Sequence, residues 1–325
     1  MEDLGMSASG GSKAVVAALL ANIGIAITKF IAWAFSGSAA MLAEGVHSLA
    51  DSGNQVLLLI GGKRAQQAPD REHPFGHGRV RYVYAFVVAI VLFTIGGVFS
   101  VYEGIAKIRE PHPLEVWWLP LGVLVVAIVL ESLSLRTAVR ESRPHKGDSS
   151  WFEFIRRSKA PELPVVLLED LGALVGLVFA FFGVGLTVLT GNGLFDGIAT
   201  VAIGMLLIAI ACLVGVEVKS LLVGEGASDE DVTRVEAAIL EGSDIDRIIH
   251  MKTLYVGPDE FMIGAKISLS PQCTMHEVSV IVNLAERRIR EAVPAATYIY
   301  LEPDIYFDPD AKQPTTSSIV TLSYD

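Results

Sequence analysis

Six stretches of this chain are each apolar enough and long enough to cross a bilayer as a helix, and this limits its fold more than any other feature. A hydrocarbon core about 30 Å thick takes roughly 20 helical residues. Within that core the backbone must satisfy its own polar groups, which a helix does and an irregular segment does not. The stretches are 14–35, 39–62, 82–105, 116–134, 163–189 and 198–222. The breaks between them, at 36–38, 66–81, 109–115, 136–161 and 190–193, read as loops. The first run lacks the layout of a cleavable leader and is expected to span. A membrane α-helical fold with six transmembrane helices follows for residues 1–222.

Charge separates this region from the rest. Through Leu222 there are 18 acidic and 17 basic residues, and beyond it 18 against 8, so the net charge of -11 lies almost wholly in the last hundred residues. An acidic soluble domain is therefore expected over 223–307, with the polar segment 308–325 as a flexible tail. Such a surface repels nucleic acid, and a basic footprint for it is absent. Cys212 lies in an apolar run and Cys273 in the soluble part, which fits a reducing compartment and no disulfide framework.

Orientation follows from lysine and arginine. Lys63, Arg64, Arg71, Arg79 and Arg81 follow the second stretch, and seven more basic residues lie between Arg136 and Lys159. The opposite side holds only Lys107 and Arg109. Both termini are expected in the cytoplasm, with the plasma membrane as the default host.

After a hinge at 224–228, residues 229–240 have helical spacing with Ser228 as cap. Segments 246–255 and 261–269 read as strands joined by a turn at Gly257-Pro258-Asp259. Residues 274–293 read as a helix with Val278, Ile281, Val282, Ala285 and Ile289 on one face, and 297–301 as a last strand. The order αββαβ predicts a small α+β, ferredoxin-like domain with helices on one sheet.

Chemistry enters through charges in the apolar runs. The second stretch holds Glu44, His47, Asp51 and Asn54 at offsets 0, 3, 7 and 10. At 100° per residue these stay within about one helical face. An ionisable group at the bilayer centre costs about 2.5–3.5 kcal/mol on insertion scales, so the cluster needs a compensating partner. A cation is the simplest, since imidazole and carboxylate are good ligands for zinc and related ions. Hydrogen bonding between helices is the competing structural account. The fifth stretch adds Glu169 and Asp170, about 100° apart on a helix, so that one can bind metal while the other contacts a neighbouring helix or carries protons. Gly45 and Gly53 on one stretch and Gly172 and Gly176 on the other suit a close approach of the two helices. Lys29, Glu103, Glu131 and Glu217 fall towards span ends, where snorkelling or interfacial pairing accounts for them.

The run Ser38-Ala-Ala-Met-Leu-Ala-Glu-Gly-Val-His47-Ser-Leu-Ala-Asp51 resembles the second-span motif of the cation diffusion facilitators, and Asp70-Arg-Glu-His73-Pro-Phe-Gly-His77-Gly-Arg79 resembles the loop that follows it. The resemblance covers nearly the whole chain. It implies six spans, a cytoplasmic domain that dimerises, and export of zinc, iron, cobalt or manganese, with no prosthetic group. It carries two transport ligands onto His47 and Asp51 and a third onto Asp170. Val166 stands where the family usually has a second histidine, which leaves Glu169, or Glu44 or Asn54, to complete the shell; the chain is similar here to a branch with Leu-Leu-Glu-Asp in this span. Asp70, His73 and His77 match a peripheral zinc site of some members. The soluble domain has only His250 and His276, with Lys266, Ser279 and Leu301 near the expected ligand positions, so the family's binuclear centre is expected to be absent.

The function that follows is metal–proton antiport by alternating access, because ligation needs neutral imidazole and carboxylate and so displaces protons. Two rival classes use the same cluster: an intramembrane metal-dependent enzyme activating water, and a metal sensor that signals through the soluble domain without flux.

Overall fold

The computed structural model describes residues 22–112, 114, 116–242 and 244–306. The start of the expected first span and the expected tail at 308–325 lie outside the described residues. The described residues fall into two compact units, one of 22–224 with 256–259 and one of 225–255 with 260–306.

The first unit is a helix bundle. Its described helices are α1 Asn22–Ser36, α2 Ala39–Ala65, α3 Val80–Arg109, α4 Trp118–Lys146, the short α5 Trp151–Arg157, α6 Glu162–Thr190 and α7 Leu194–Val223. Four of them, α3, α4, α6 and α7, are long and apolar enough to cross a membrane by length and composition. Helix α2 has ample length at 27 residues, but its polar face lowers its hydropathy. As described, α1 is the shorter apolar helix Asn22–Ser36.

Local chemistry sets the ends. Gly37 turns the chain at φ 67°, and the Ser38 side chain accepts the Met41 N–H to start α2. Gly191, left-handed at φ 70°, closes α6. One expected loop region, 136–161, differs from the sequence reading. The fourth helix runs on to Lys146, and α5 fills part of the remaining connection. No glycine or proline interrupts the chain between Gly122 and Pro144, so a charged stretch continues the helix instead of ending it.

Close backbone contact joins α3 to α7. A Cβ on Gly204 would lie 2.8 Å from the Gly97 carbonyl oxygen, and one on Gly104 2.8 Å from that of Gly197. Glycine at these levels lets the two helices touch along their length. Around Gly97, α3 carries a π-helical stretch, Leu92–Val98. The bundle core includes Tyr82, Leu92, Leu124, Leu177, Ile203 and Leu207, all at most 1% exposed. Large apolar side chains such as Val126, Leu133, Phe182 and Met205 point outward, as lipid contact requires.

The second unit contains α8 Asp229–Leu240, β1 Arg247–Gly257, β2 Glu260–Ser268, α9 Met275–Ala292 and β3 Ala296–Asp304. The strands form one sheet in the order β1-β2-β3. Strands β2 and β3 pair in parallel, from Phe261 opposite Ala296 to Ser268 opposite Asp304, as the intervening helix α9 requires of a βαβ connection. Alternation on β2 buries Phe261, Ile263, Ala265 and Ile267 against Val235 and Ile239 of α8 and Ala285 and Ile289 of α9. Ser228 caps α8, and Thr274 with Glu277 forms a capping box on α9.

Candidate functional site

The polar face of α2 does not act as one unit; three neighbouring helices divide it. Lys29 of α1 donates to Glu44 Oε2 at 2.9 Å and to Ser48 Oγ at 2.7 Å. Lys29 is only 2% exposed, which corrects the expectation that it snorkels from a span end. Its ammonium neutralises Glu44 inside the bundle. Near the other end of the face, Asn54 donates to Glu169 Oε1 of α6 at 2.6 Å.

His47 and Asp51 lie between these two pairs. His47 is 1% exposed, and its Nδ1 is 3.4 Å from Asp51 Oδ1. No hydrogen bond joins them: both ring nitrogens and Asp51 Oδ1 have no hydrogen-bond partner. The histidine ring lies beside Gly96 in the π-helical stretch of α3, where a Cβ would come within 3.8 Å of Nδ1. Local π geometry is frequent at functional sites, and here it brings a residue without a side chain against the imidazole.

A cavity of about 30 Å³ opens beside this pair, lined by Asn22, Ile25, Ser48, Asp51, Gln55, Glu131, Ser134, Val166, Glu169 and Asp170. That volume suits one water molecule or one ion. Adjacent Glu169 and Asp170 both reach its wall, although they point about 100° apart around α6. Asp170 Oδ2 accepts from Ser134 Oγ of α4 at 2.9 Å. Val166 also lines the cavity, so an aliphatic side chain stands where the family resemblance would put a second imidazole.

Sequence reasoning missed the contribution of α4. Glu131, expected towards a span end, lines the cavity wall on a helix that continues for fifteen residues past it to Lys146. The unbroken run to Pro144 was the available signal. The four glycines also separate in role. A Cβ on Gly176 would lie 2.9 Å from Glu44 Oε1, so this residue does admit α2 to α6. Gly172 faces Ile210 of α7, Gly45 faces Phe30 of α1, and Gly53 has nothing within 4 Å.

Where α2 begins, Asp196 of α7 is fully buried. It accepts from Ser38 Oγ at 2.7 Å, from Ala39 N at 2.7 Å and from Ala40 N at 3.3 Å. This carboxylate caps a helix distant in sequence, and no local pattern announces it.

In the loop after α2, Asp70, His73 and His77 bring their ligand atoms within 4.8 Å of one another. Asp70 Oδ1 accepts the N–H groups of His73 at 2.6 Å and Glu72 at 2.9 Å. Its Oδ2 lies 3.2 Å from His77 Nε2. The His73 N–H, foremost, then the His77 ring and the Glu72 N–H hold the Asp70 carboxyl below its ordinary range. Gly76, at φ 77°, permits the turn. In the second unit Lys266 bridges Glu302 at 3.2 Å and Asp304 at 2.8 Å, and these carboxylates raise the lysine above its usual range.

The bundle, with a histidine and carboxylates held inside it, is that of a multi-pass membrane protein built to handle cations. Residues 15–223 match the model of the cation efflux transmembrane domain, and the chain belongs to that family, whose members are transporters and not enzymes. It is 33% identical over 265 residues to the proton-coupled zinc antiporter SLC30A9, mitochondrial, of Xenopus laevis, covering 81% of this chain and 47% of that protein. The human protein of the same name is 33% identical over 244 residues, covering 74% of this chain and 43% of that one. Metal tolerance protein C4 of Arabidopsis thaliana is 28% identical over 281 residues, 86% of this chain and 60% of that protein. The chain thus spans about half the length of these curated relatives.

Proposed function

We propose that the protein exports a divalent transition-metal ion, zinc first, in exchange for protons. The observation that carries this reading is the buried His47 imidazole, with neither nitrogen hydrogen-bonded, 3.4 Å from Asp51 Oδ1, which also lacks a partner, beside a cavity that Asp51, Glu169 and Asp170 line. A buried polar group left unsatisfied costs about 1–3 kcal/mol, and a ligand that binds there offsets it. His47, Asp51, Asp170 and Glu169 are the transport ligands in this proposal. Glu44 and Asn54 are supporting groups, since Lys29 holds the first and Asn54 is spent on orienting Glu169.

Proton coupling follows from the ligands themselves. Metal binding requires them deprotonated, and protons arriving from the other side displace the metal. Alternating access then needs α2 and α6 to open the cavity to one face at a time. The names of the two SLC30A9 relatives support zinc and protons. The oxygen-rich donor set, with one imidazole, also admits iron, cobalt or manganese.

The proposed topology has six spans with both termini cytoplasmic. Residues 1–222 form the transport domain and 223–307 a ferredoxin-like domain that lacks the first strand and serves homodimerisation. Asp70, His73 and His77 form a peripheral metal site in this reading. The plasma membrane is the proposed host; cell fractionation that recovers the chain with mitochondria would move it to the location in the relatives' names.

Metal flux in proteoliposomes, with a pH-sensitive dye inside, tests the function. Zinc uptake with counter-flow of protons is expected. Metal binding without flux would replace the transporter with a sensor.

A further inference from the structure

Resting on the transport reading above, we infer that Glu131 of α4 is a specificity-determining residue of the transport site, which makes the fourth span part of the metal's shell.

The carboxylates of the cavity wall come from three helices. Helix α2 supplies Asp51, α6 supplies Glu169 and Asp170, and α4 supplies Glu131 and Ser134. Ser134 lies three residues beyond Glu131, on the same helical face, and donates to Asp170 Oδ2 at 2.9 Å. The face of α4 that carries Glu131 is therefore held against the ligand-bearing helix by a hydrogen bond to a ligand carboxylate.

Glu131 itself accepts no hydrogen bond and makes no ion pair with a described residue, and Asp51 Oδ1 has only its 3.4 Å approach to His47, whereas Glu44, Glu169 and Asp170 are engaged. Lys29 holds Glu44, Asn54 holds Glu169, and Ser134 holds Asp170. The only cation among the described residues that pairs with this group of acids, Lys29, is committed to Glu44. Four carboxylates around a cavity of about 30 Å³ thus face it without a fixed counter-cation. Next to them is a second and different sign of a missing ligand, the His47 imidazole at 1% exposure with neither nitrogen bonded.

Val166 decides what Glu131 does there. It removes a nitrogen donor from one wall, and Glu131 adds an oxygen donor from another. The exchange of imidazole for carboxylate moves a site from zinc towards harder ions such as manganese, which favour oxygen ligands. Glu131 is thus expected to act on the choice of metal more than on the rate of the transport cycle.

The test compares zinc and manganese uptake by the full chain in proteoliposomes, together with calorimetric binding of each metal alone in detergent. Wild type is set beside Glu131→Gln, Glu131→Asp and Val166→His. Glu131→Gln should weaken manganese about tenfold or more, within the range known for groups supporting a metal, and zinc distinctly less. Glu131→Asp should recover part of the manganese binding, and Val166→His should shift preference towards zinc. Equal effects on the two metals, or none, overturn the inference, and should the glutamine variant not fold, an unchanged manganese-to-zinc ratio in Glu131→Asp does so equally. If wild type carries no metal across the membrane but binding still depends on Glu131 with manganese more affected, the transport reading falls and this inference stands. If binding is indifferent to Glu131, the inference falls whatever the flux.

Discussion

Helix α2 passes two buried polar clusters, and only one of them is satisfied. At its start Asp196 takes three hydrogen bonds from Ser38, Ala39 and Ala40, while the Asp196 N–H donates to Thr187 Oγ1 at 3.0 Å. Halfway along, His47 Nδ1, His47 Nε2 and Asp51 Oδ1 have no hydrogen bond at all. Both clusters set charged or polar side chains among apolar helices, so burial alone does not tell them apart. Satisfaction does. A complete set of partners means the carboxylate at Asp196 holds α2 to α7, whereas an incomplete set leaves room for a cation.

The comparison makes its largest demand on the unsatisfied cluster. Asp51→Ala or Asp170→Ala should reduce proton-driven metal uptake into inverted vesicles by about 100-fold or more, beyond the effect of losing a supporting group. The thermal midpoint in detergent should hardly move. Near-normal transport by both variants would remove the assignment.

Between the two clusters lies Lys29–Glu44, satisfied on one side only, since Glu44 Oε1 has no partner. Removing one member leaves the other as an isolated charge among helices, and Lys29→Met or Glu44→Gln should cost about 3–5 kcal/mol for a buried pair. Chemical unfolding in detergent measures it. The double variant Lys29→Met/Glu44→Met should be more stable than the worse single one. If the double is no better, the pair is not what balances these charges.

At the satisfied cluster, Asp196→Ala should destabilise by about 2 kcal/mol or more, through unpaired N–H groups at the start of α2. Uptake per folded molecule should stay near wild type. A variant that folds normally but no longer transports would give Asp196 a role in the cycle and break the contrast.

The smallest effect is local and depends on pH. Asp70 has its folded pKa depressed by the His73 N–H and then by His77 and the Glu72 N–H. For a depressed acid the stabilisation is complete above the unfolded pKa, about 4 for aspartate, and is lost as pH falls through the lower folded value. Amide exchange protection over residues 70–78 should therefore hold from neutral pH to about 4 and decline below it, and Asp70→Asn should flatten the curve. A decline already complete by about pH 5 would assign the loop's order to its histidines instead.

Much of this architecture was legible in the residues. Apolar runs announced the long helices, because backbone satisfaction in lipid leaves few alternatives. Ser228 and the turn around Pro258 located elements of the second unit through purely local chemistry. The helical spacing of Glu44, His47, Asp51 and Asn54 put them on one face before any neighbour was known. Less legible was the end of α4: the apolar run stops near Ser134 but the helix does not, since hydropathy reports the lipid boundary and not the hydrogen-bond ladder. That Glu131 lines the cavity depends on how α4 packs against α6.

The sequence by itself determined the angular order of groups on each helix, the shift from apolar to acidic composition, and the replacement of a histidine by Val166. Those are properties of one segment and its periodicity. Only the tertiary structure decided that Lys29 meets Glu44, that Asn54 meets Glu169, that Asp196 caps α2, and that the π-helical stretch of α3 turns Gly96 towards His47. A helix fixes where a side chain points about its own axis; which partner it finds there depends on how the neighbouring helices pack. At His47 and at Asp51 Oδ1 the packing provides no hydrogen-bond partner, whereas Glu44 and Asn54 each keep one bond to a neighbouring helix.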